Sequence, residues 1–224
     1  MEHESAEHAD PATAPGRAAG TEPAERAPRP VRADARRNID AVLTAAKEVF
    51  ATSGVDAPVR EIAARAGVGT ATVYRHFPQR SDLVGAVFRS EVDACADAAP
   101  ALAAEYEPGQ ALERWLQRYA GFIAAKQGLA AALHSGDPAF DALPGYFDQR
   151  FEPVLGSLLA SAAAAGRIRA GVDANDLLRA VANLCRTTDR DRAGHVGRMV
   201  ALLIDGLRYG AHHPPAGHHW ARPQ

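Results

Sequence analysis

The stretch from Thr70 to His76 carries an unusual set of polar groups. Thr70, Thr72, Tyr74 and His76 offer three hydroxyls and an imidazole, Arg75 adds a guanidinium, and the stretch holds no acid. Such groups hydrogen-bond to phosphate oxygens and base edges, and with no carboxylate among them nothing repels a phosphate backbone. That is docking chemistry, not bond-breaking chemistry. Elsewhere Asp, Glu and His are scattered, with no HExxH and no phosphate-cradling glycine loop, so no acid–base constellation supports an enzyme. His212, His213, His218 and His219 flank two prolines and a glycine, with no Cys or acid nearby, and neither a metal site nor a cofactor is expected there. Cys95 and Cys185 are too few for a disulfide scaffold or a Cys-based zinc site.

The charge around this stretch is uneven. Residues 29–80 hold nine Lys or Arg against five acids, whereas residues 1–28 hold two against six and residues 81–224 hold 14 against 16. A chain of net charge −2 thus contains one basic module, the footprint expected where a protein meets phosphates. With 224 residues, 47% of them apolar, the chain can bury a core in one medium or two small domains. No apolar run approaches the ~18 residues that a membrane span needs. The acidic start, MEHESAEHAD, lacks the apolar stretch of a signal peptide. A soluble, cytoplasmic protein with reduced thiols and no membrane partner is expected.

The elements that must hold the polar stretch are helical almost throughout. Ile39, Val42, Leu43, Ala46, Val49 and Phe50 recur every three to four residues, and Gly54 follows as a stop. Pro58 suits the first turn of a second helix, Val59 to Ala66, which Gly67 ends. A third runs from Thr70 to His76, closed by Phe77 and Pro78. Ser81 is positioned to cap a fourth, through Leu83, Val87, Phe88, Val92 and Cys95. Pro100 and Pro108 bracket an expected loop. A fifth helix carries Leu112 to Ile123, and a short sixth covers Gly128 to Leu133. The seventh spans Leu143 to Ala165, with Pro153 expected to kink it or delay its start. Asp173 and Asp176 form a capping pair for the eighth, Leu177 to Cys185, and the ninth covers Arg192 to Tyr209. No period-two strands and no internal repeat appear.

The second and third helices fit helix-turn-helix geometry. Ile62, Ala63 and Ala66 face inward on one, Val73 and Phe77 on the other, and small Ala63 permits a close crossing. Gly67 supplies the backbone freedom for the turn, and Val68 plugs its corner. The segment REIAARAGVGTATVYRHFPQRSDL, Arg60 to Leu83, resembles the TetR family of transcriptional regulators, in register with the helices on either side over about residues 35–90. The periodicity gives about nine helices, and the resemblance implies an all-α homodimer. By its composition, residues 1–31 are expected to be a disordered acidic tail, and residues 32–80 are expected to form a three-helix DNA-binding domain with its helix-turn-helix at 58–77. Residues 81–210 are expected to form a larger effector-binding and dimerisation domain, followed by a loose tail at 211–224.

The resemblance also assigns roles. Arg60 reaches a base edge, where it can be bidentate to guanine. Thr70, Ala71 and Thr72 open the recognition helix and face bases; Tyr74 and His76 match phosphate contacts, with Arg75 alongside, and Arg80 replaces a common lysine. Ala71 stands where relatives often carry Gly, so no operator sequence follows. Trp115, Tyr119 and Phe122 share one helical face, and Phe147 and Phe151 another. They are expected to wall an effector cavity, with plain core as the alternative. His134 and Cys185 are lesser candidates for its polar groups. The apolar stripes Leu177, Val181, Leu184 and Val200, Leu203, Ile204, Leu207 are expected to form the dimer interface, with burial inside one subunit as the alternative.

The expected function is a sequence-specific regulator bound to double-stranded DNA at the nucleoid, a repressor released from a palindromic operator by a small apolar effector. An activator or a ligand-independent regulator of the same fold is the alternative. A helical enzyme is more distant, and a nonspecific architectural binder would not need about 130 residues of neutral helical domain.

Overall fold

The computed structural model describes residues 29–126, 136–185 and 192–212. The expected short helix at 128–133, His134 and both tails' outer parts lie outside the described residues. Among the described residues nine α-helices and one short 3-10 turn appear, with no strand. They are α1 (Arg29–Ser53), α2 (Val59–Ala66), α3 (Thr70–His76), α4 (Arg80–Ala96) and α5 (Ala98–Glu105). Then come α6 (Pro108–Lys126), the 3-10 turn Pro138–Phe140, α7 (Leu143–Ala164), α8 (Ala174–Leu184) and α9 (Arg192–His212).

The first three helices pack as one unit. Val42, Ala46, Val49 and Phe50 of α1 are buried with Ile62 and Ala63 of α2 and Val73 of α3. Helix α1 begins at Arg29, slightly ahead of the expected boundary. Gly54 ends its path with φ +80, a conformation that other residues adopt only with strain. Helix α4 is common to both halves of the chain. Leu83, Val84 and Val87 join the N-terminal core, while Val92, Cys95 and Ala96 lie towards the second.

The start of α4 differs from expectation. Gln79, not Ser81, is the N-cap, and the Asp82 carboxylate accepts the Gln79 N–H at 2.9 Å. Helix α5 occupies the expected loop. Pro100 is its third residue, where the missing N–H would have had no partner inside the helix. Pro153 neither delays nor ends α7, which runs through it from Leu143. The Asp173 cap is as expected: its side chain accepts the Asp176 N–H at 2.9 Å.

Polar ties fasten α4 and α6 to their neighbours. Asp93 of α4 accepts Tyr146 Oη–H at 2.6 Å and Arg150 Nε–H at 2.7 Å, and Arg150 also reaches Asp97 at 2.7 Å. Trp115 donates its indole N–H to the Cys95 carbonyl at 3.1 Å, so α6 is keyed to the end of α4. On the last two helices the expected interface residues divide by burial. Leu177, Val181, Val200, Ile204 and Leu207 are buried inside this one chain, none more than 5% exposed. That burial fits the alternative of packing within one subunit for these five. Leu184 and Leu203 are half-buried, and the outward face of α9 instead carries Leu202 and Tyr209, each 65% exposed. Periodicity marks an apolar face without saying what covers it.

Candidate DNA-binding surface and adjoining cavity

Helix α2 starts after Pro58 and ends at Gly67, whose φ of +68 turns the chain. Val68 N–H reaches back to the Ala63 carbonyl at 3.0 Å, which ties off the end of α2. Gly69 then opens α3 in an extended conformation, and its carbonyl receives the Thr72 N–H at 2.9 Å. Val73, 1% exposed, anchors α3 to the core, with Phe77 packed beside it. The rest of α3 is left outward. Thr70 and Tyr74 are four apart, as are Ala71 and Arg75, so each pair shares a face; all four are exposed. Thr72 and His76 are half-buried at its edges.

Arg60 is exposed in the first turn of α2. Neither Arg60 nor Arg75 has an ion pair or side-chain hydrogen bond among the described residues. By contrast Arg65 is held by Glu48 at 2.6 Å and Lys47 by Glu91 at 2.6 Å. Among the described residues two unpaired guanidiniums therefore lie on the α2–α3 surface, while nearby Arg65 and Lys47 are neutralised within the fold.

Arg80 is placed differently from the other expected contacts. Its guanidinium is half-buried and donates to the carbonyls of Val55 and Ala57 in the α1–α2 turn. It thereby pins the start of α4 to the helix-turn-helix unit. The sequence pattern gave no hint of this clamp, because its partners are backbone oxygens more than twenty residues away.

The five expected aromatics form one packed cluster. Trp115 and Tyr119 stack at 5.6 Å, and Phe151 meets Tyr119 edge-on at 5.3 Å and Phe147 at 4.7 Å. Two of them face the larger open space. Tyr119 and Phe147 line a cavity of about 340 Å³, with Phe88 from α4, Phe140 and Leu143 beyond α6, and Leu178 and Ala182 from α8. Trp115 and Phe151, with no exposed surface, stand behind this wall. Phe122 borders a smaller space of about 70 Å³ between α1, α4 and α6. Burial holds the Tyr119 phenol above its ordinary range, and as a neutral donor it bonds the Leu178 carbonyl at 3.2 Å.

Lys126 was not among the expected residues, yet it borders both spaces. It continues the stripe of Trp115, Tyr119 and Phe122 by one more helical step, which is the signal that could have found it. Burial pushes its ammonium below the usual lysine range. Cys185 is buried, its Sγ 3.7 Å from the Ala120 carbonyl, and does not line the cavity. Burial raises its thiol and lifts that of Cys95 to about 11, as suits unreactive core cysteines.

Among the described residues no helix is long and apolar enough to cross a membrane, and no cluster of His, Cys, Asp and Glu could hold a metal. Residues 42–87 match the family described as bacterial regulatory proteins, tetR family. Residues 107–209 match the transcriptional regulator SbtR-like C-terminal domain. The chain is similar to a TetR transcription regulatory protein from Mycobacterium vanbaalenii, at 39% identity, covering 80% of this chain and 99% of that one, with a TM-score of 0.66. A TetR transcriptional regulator from Streptomyces coelicolor is 36% identical over 76% of this chain and 98% of its own, with a TM-score of 0.65. A third structure, described as the molecular basis for control of antibiotic production by bacterial hormones, is 27% identical. It covers 77% of this chain and 98% of its own, with a TM-score of 0.62. A search of curated proteins gave no match. A helix-turn-helix with its cations turned outward, joined through α4 to a helical domain, is thus matched along both halves, and the chain belongs to the TetR family of transcriptional regulators, DNA-binding proteins rather than enzymes.

Proposed function

We propose that this regulator is a homodimeric repressor that leaves a palindromic operator at the nucleoid when a small, largely apolar effector enters the cavity beside α4. One observation carries the reading: Phe88, a wall of that cavity, belongs to the helix whose first residue, Arg80, clamps the helix-turn-helix unit. A ligand that shifts this wall acts directly on the base of the DNA-reading unit. It need only favour a conformation with wrongly spaced recognition helices. A coupling of about 1–3 kcal/mol would weaken operator binding roughly 5–150-fold, and operator DNA would weaken ligand binding by the same factor. The similar structure concerned with hormone control of antibiotic production supports a small-molecule trigger.

In this reading Arg60, Thr70, Ala71 and Thr72 meet base edges, and Tyr74, Arg75 and His76 meet phosphates. The exposed face of α9 supplies the dimer contact, with Leu202 and Tyr209 as apolar anchors and Ala201 and Gly206 admitting a close partner helix. Two-fold symmetry would space the recognition helices about 34–36 Å apart, one turn of duplex. The test begins by sequencing the genomic DNA that the purified protein retains. Its palindrome is then titrated in the presence of apolar metabolites, using wild type and Ala182→Leu, which fills part of the cavity. Release of the wild type but not of the variant is expected. A metabolite that binds in the cavity and leaves operator affinity unchanged would refute the release mechanism.

A further inference from the structure

The cavity is apolar on most sides but carries one poorly compensated cation. Lys126 Nζ lies 4.9 Å from the centre of the Phe88 ring and 5.6 Å from that of Phe147. Among the described residues no carboxylate reaches it within ion-pair distance. Ring faces attract an ammonium, but far less than a paired anion does once water is displaced. The other charged lining groups are differently placed. Arg179 is exposed, its Nε–H bonded to the Asn175 side-chain oxygen at 3.1 Å, and Asp148 is exposed to water. The lining therefore sums to one positive charge, and its least hydrated member is Lys126.

We propose that the cavity takes an amphipathic anion, a carboxylate whose head pairs with Lys126 and whose body lies on the ring wall of Phe88, Tyr119 and Phe147. The proposal rests on the reading of this cavity as the effector site and names the effector's chemical class. A neutral apolar ligand would leave the ammonium stripped of water and unpaired, which is costly. A cationic one would add a second charge of the same sign. At the close packing of protein interiors, 340 Å³ accommodates about a dozen non-hydrogen atoms. A medium-chain or aryl-alkyl carboxylate has that size. Binding a carboxylate would also draw Lys126 towards the cavity and away from the smaller space, across which Lys47 and Glu91 join α1 to α4.

The test uses three chain-matched probes below their micellar concentrations: decanoate, decanol and decylamine. Binding to the full chain without DNA is followed by calorimetry for wild type, Lys126→Met and Lys126→Arg. Decanoate should bind wild type at least about tenfold more tightly than decanol, with decylamine weakest. Lys126→Met should lose that preference while keeping its affinity for decanol, and Lys126→Arg should retain it. Equal affinities for decanoate and decanol in wild type, a preference that survives Lys126→Met, or no binding of any probe would overturn the proposal. Because DNA is absent, the result is separate from the release mechanism. Lys126-dependent decanoate binding that leaves the operator complex intact would refute release and leave the anion site standing.

Discussion

Replacing Arg80 with alanine separates two roles that a single exposed arginine would combine. The guanidinium donates to two backbone carbonyls, of Val55 and Ala57, from a half-buried position. Charge-assisted bonds contribute about 1.5–3 kcal/mol each, and partial exposure places both near the low end, so Arg80→Ala should cost about 2–3 kcal/mol. For a chain of this size that lowers the thermal midpoint by about 4–12 °C. Arg80→Lys, whose single ammonium cannot span both oxygens, should lose about half as much. Thermal unfolding by circular dichroism gives the stability, and operator titrations across a salt series give the phosphate count. A phosphate contact alone would leave the midpoint unchanged and reduce the salt slope by about one. That combination would refute the clamp. A lowered midpoint with an unchanged slope would establish Arg80 as a positioning residue of the DNA-binding unit.

Leu202→Arg should give a monomer of native helicity, by light scattering and circular dichroism, because Leu202 is 65% exposed in one chain. Ile204→Arg, at a side chain only 2% exposed, should instead unfold the chain, since it buries a charge without a partner. Arg60→Ala should cost about 1–3 kcal/mol on the operator and relax preference at one base pair, read by anisotropy on single-base variants; equal losses on operator and random DNA would contradict base readout. Cys95 should resist alkylation in the native state, and its raised thiol adds a pH dependence. The folded chain keeps a proton that the unfolded chain sheds near pH 9, so its contribution to stability is complete below that value. It falls away as pH rises towards about 11, and Cys95→Ala should flatten that part of the pH–stability curve.

The helix-turn-helix was legible because its determinants are local. Pro58 and Gly67 punctuate it, and Ile62, Ala63 and Val73 are the inward positions that the spacing indicates. Helix α5 was obscured by Pro100, which reads as a break unless the helix is known to start two residues before it. The stripes on α8 and α9 are legible as apolar, but not what covers them. Leu177 and Ile204 carry no mark that separates burial against α6 from burial against a second subunit. The aromatics were likewise grouped correctly, but periodicity could not separate Tyr119 and Phe147, which line the cavity, from Trp115 and Phe151 behind it. Long-range polar contacts are the least visible. Nothing in the order of residues announces that Arg80 reaches Val55, or that Asp93 gathers Tyr146 and Arg150 from α7.

The continuity of α4 turns a small rearrangement into a large one. Its 17 residues make a rod about 25 Å long, with Arg80 at one end and the Asp93 latch near the other. A rod of that length tilted by about 5° carries its tip sideways by roughly 2 Å. In the proposed dimer the two-fold axis mirrors the displacement, so the recognition helices change separation by roughly 4 Å, slightly more than the 3.4 Å step between base pairs. The duplex cannot stretch to follow. One half-site can stay in register only if the other slips by about a base pair, and the response becomes nearly all-or-none although the motion that drives it is gradual.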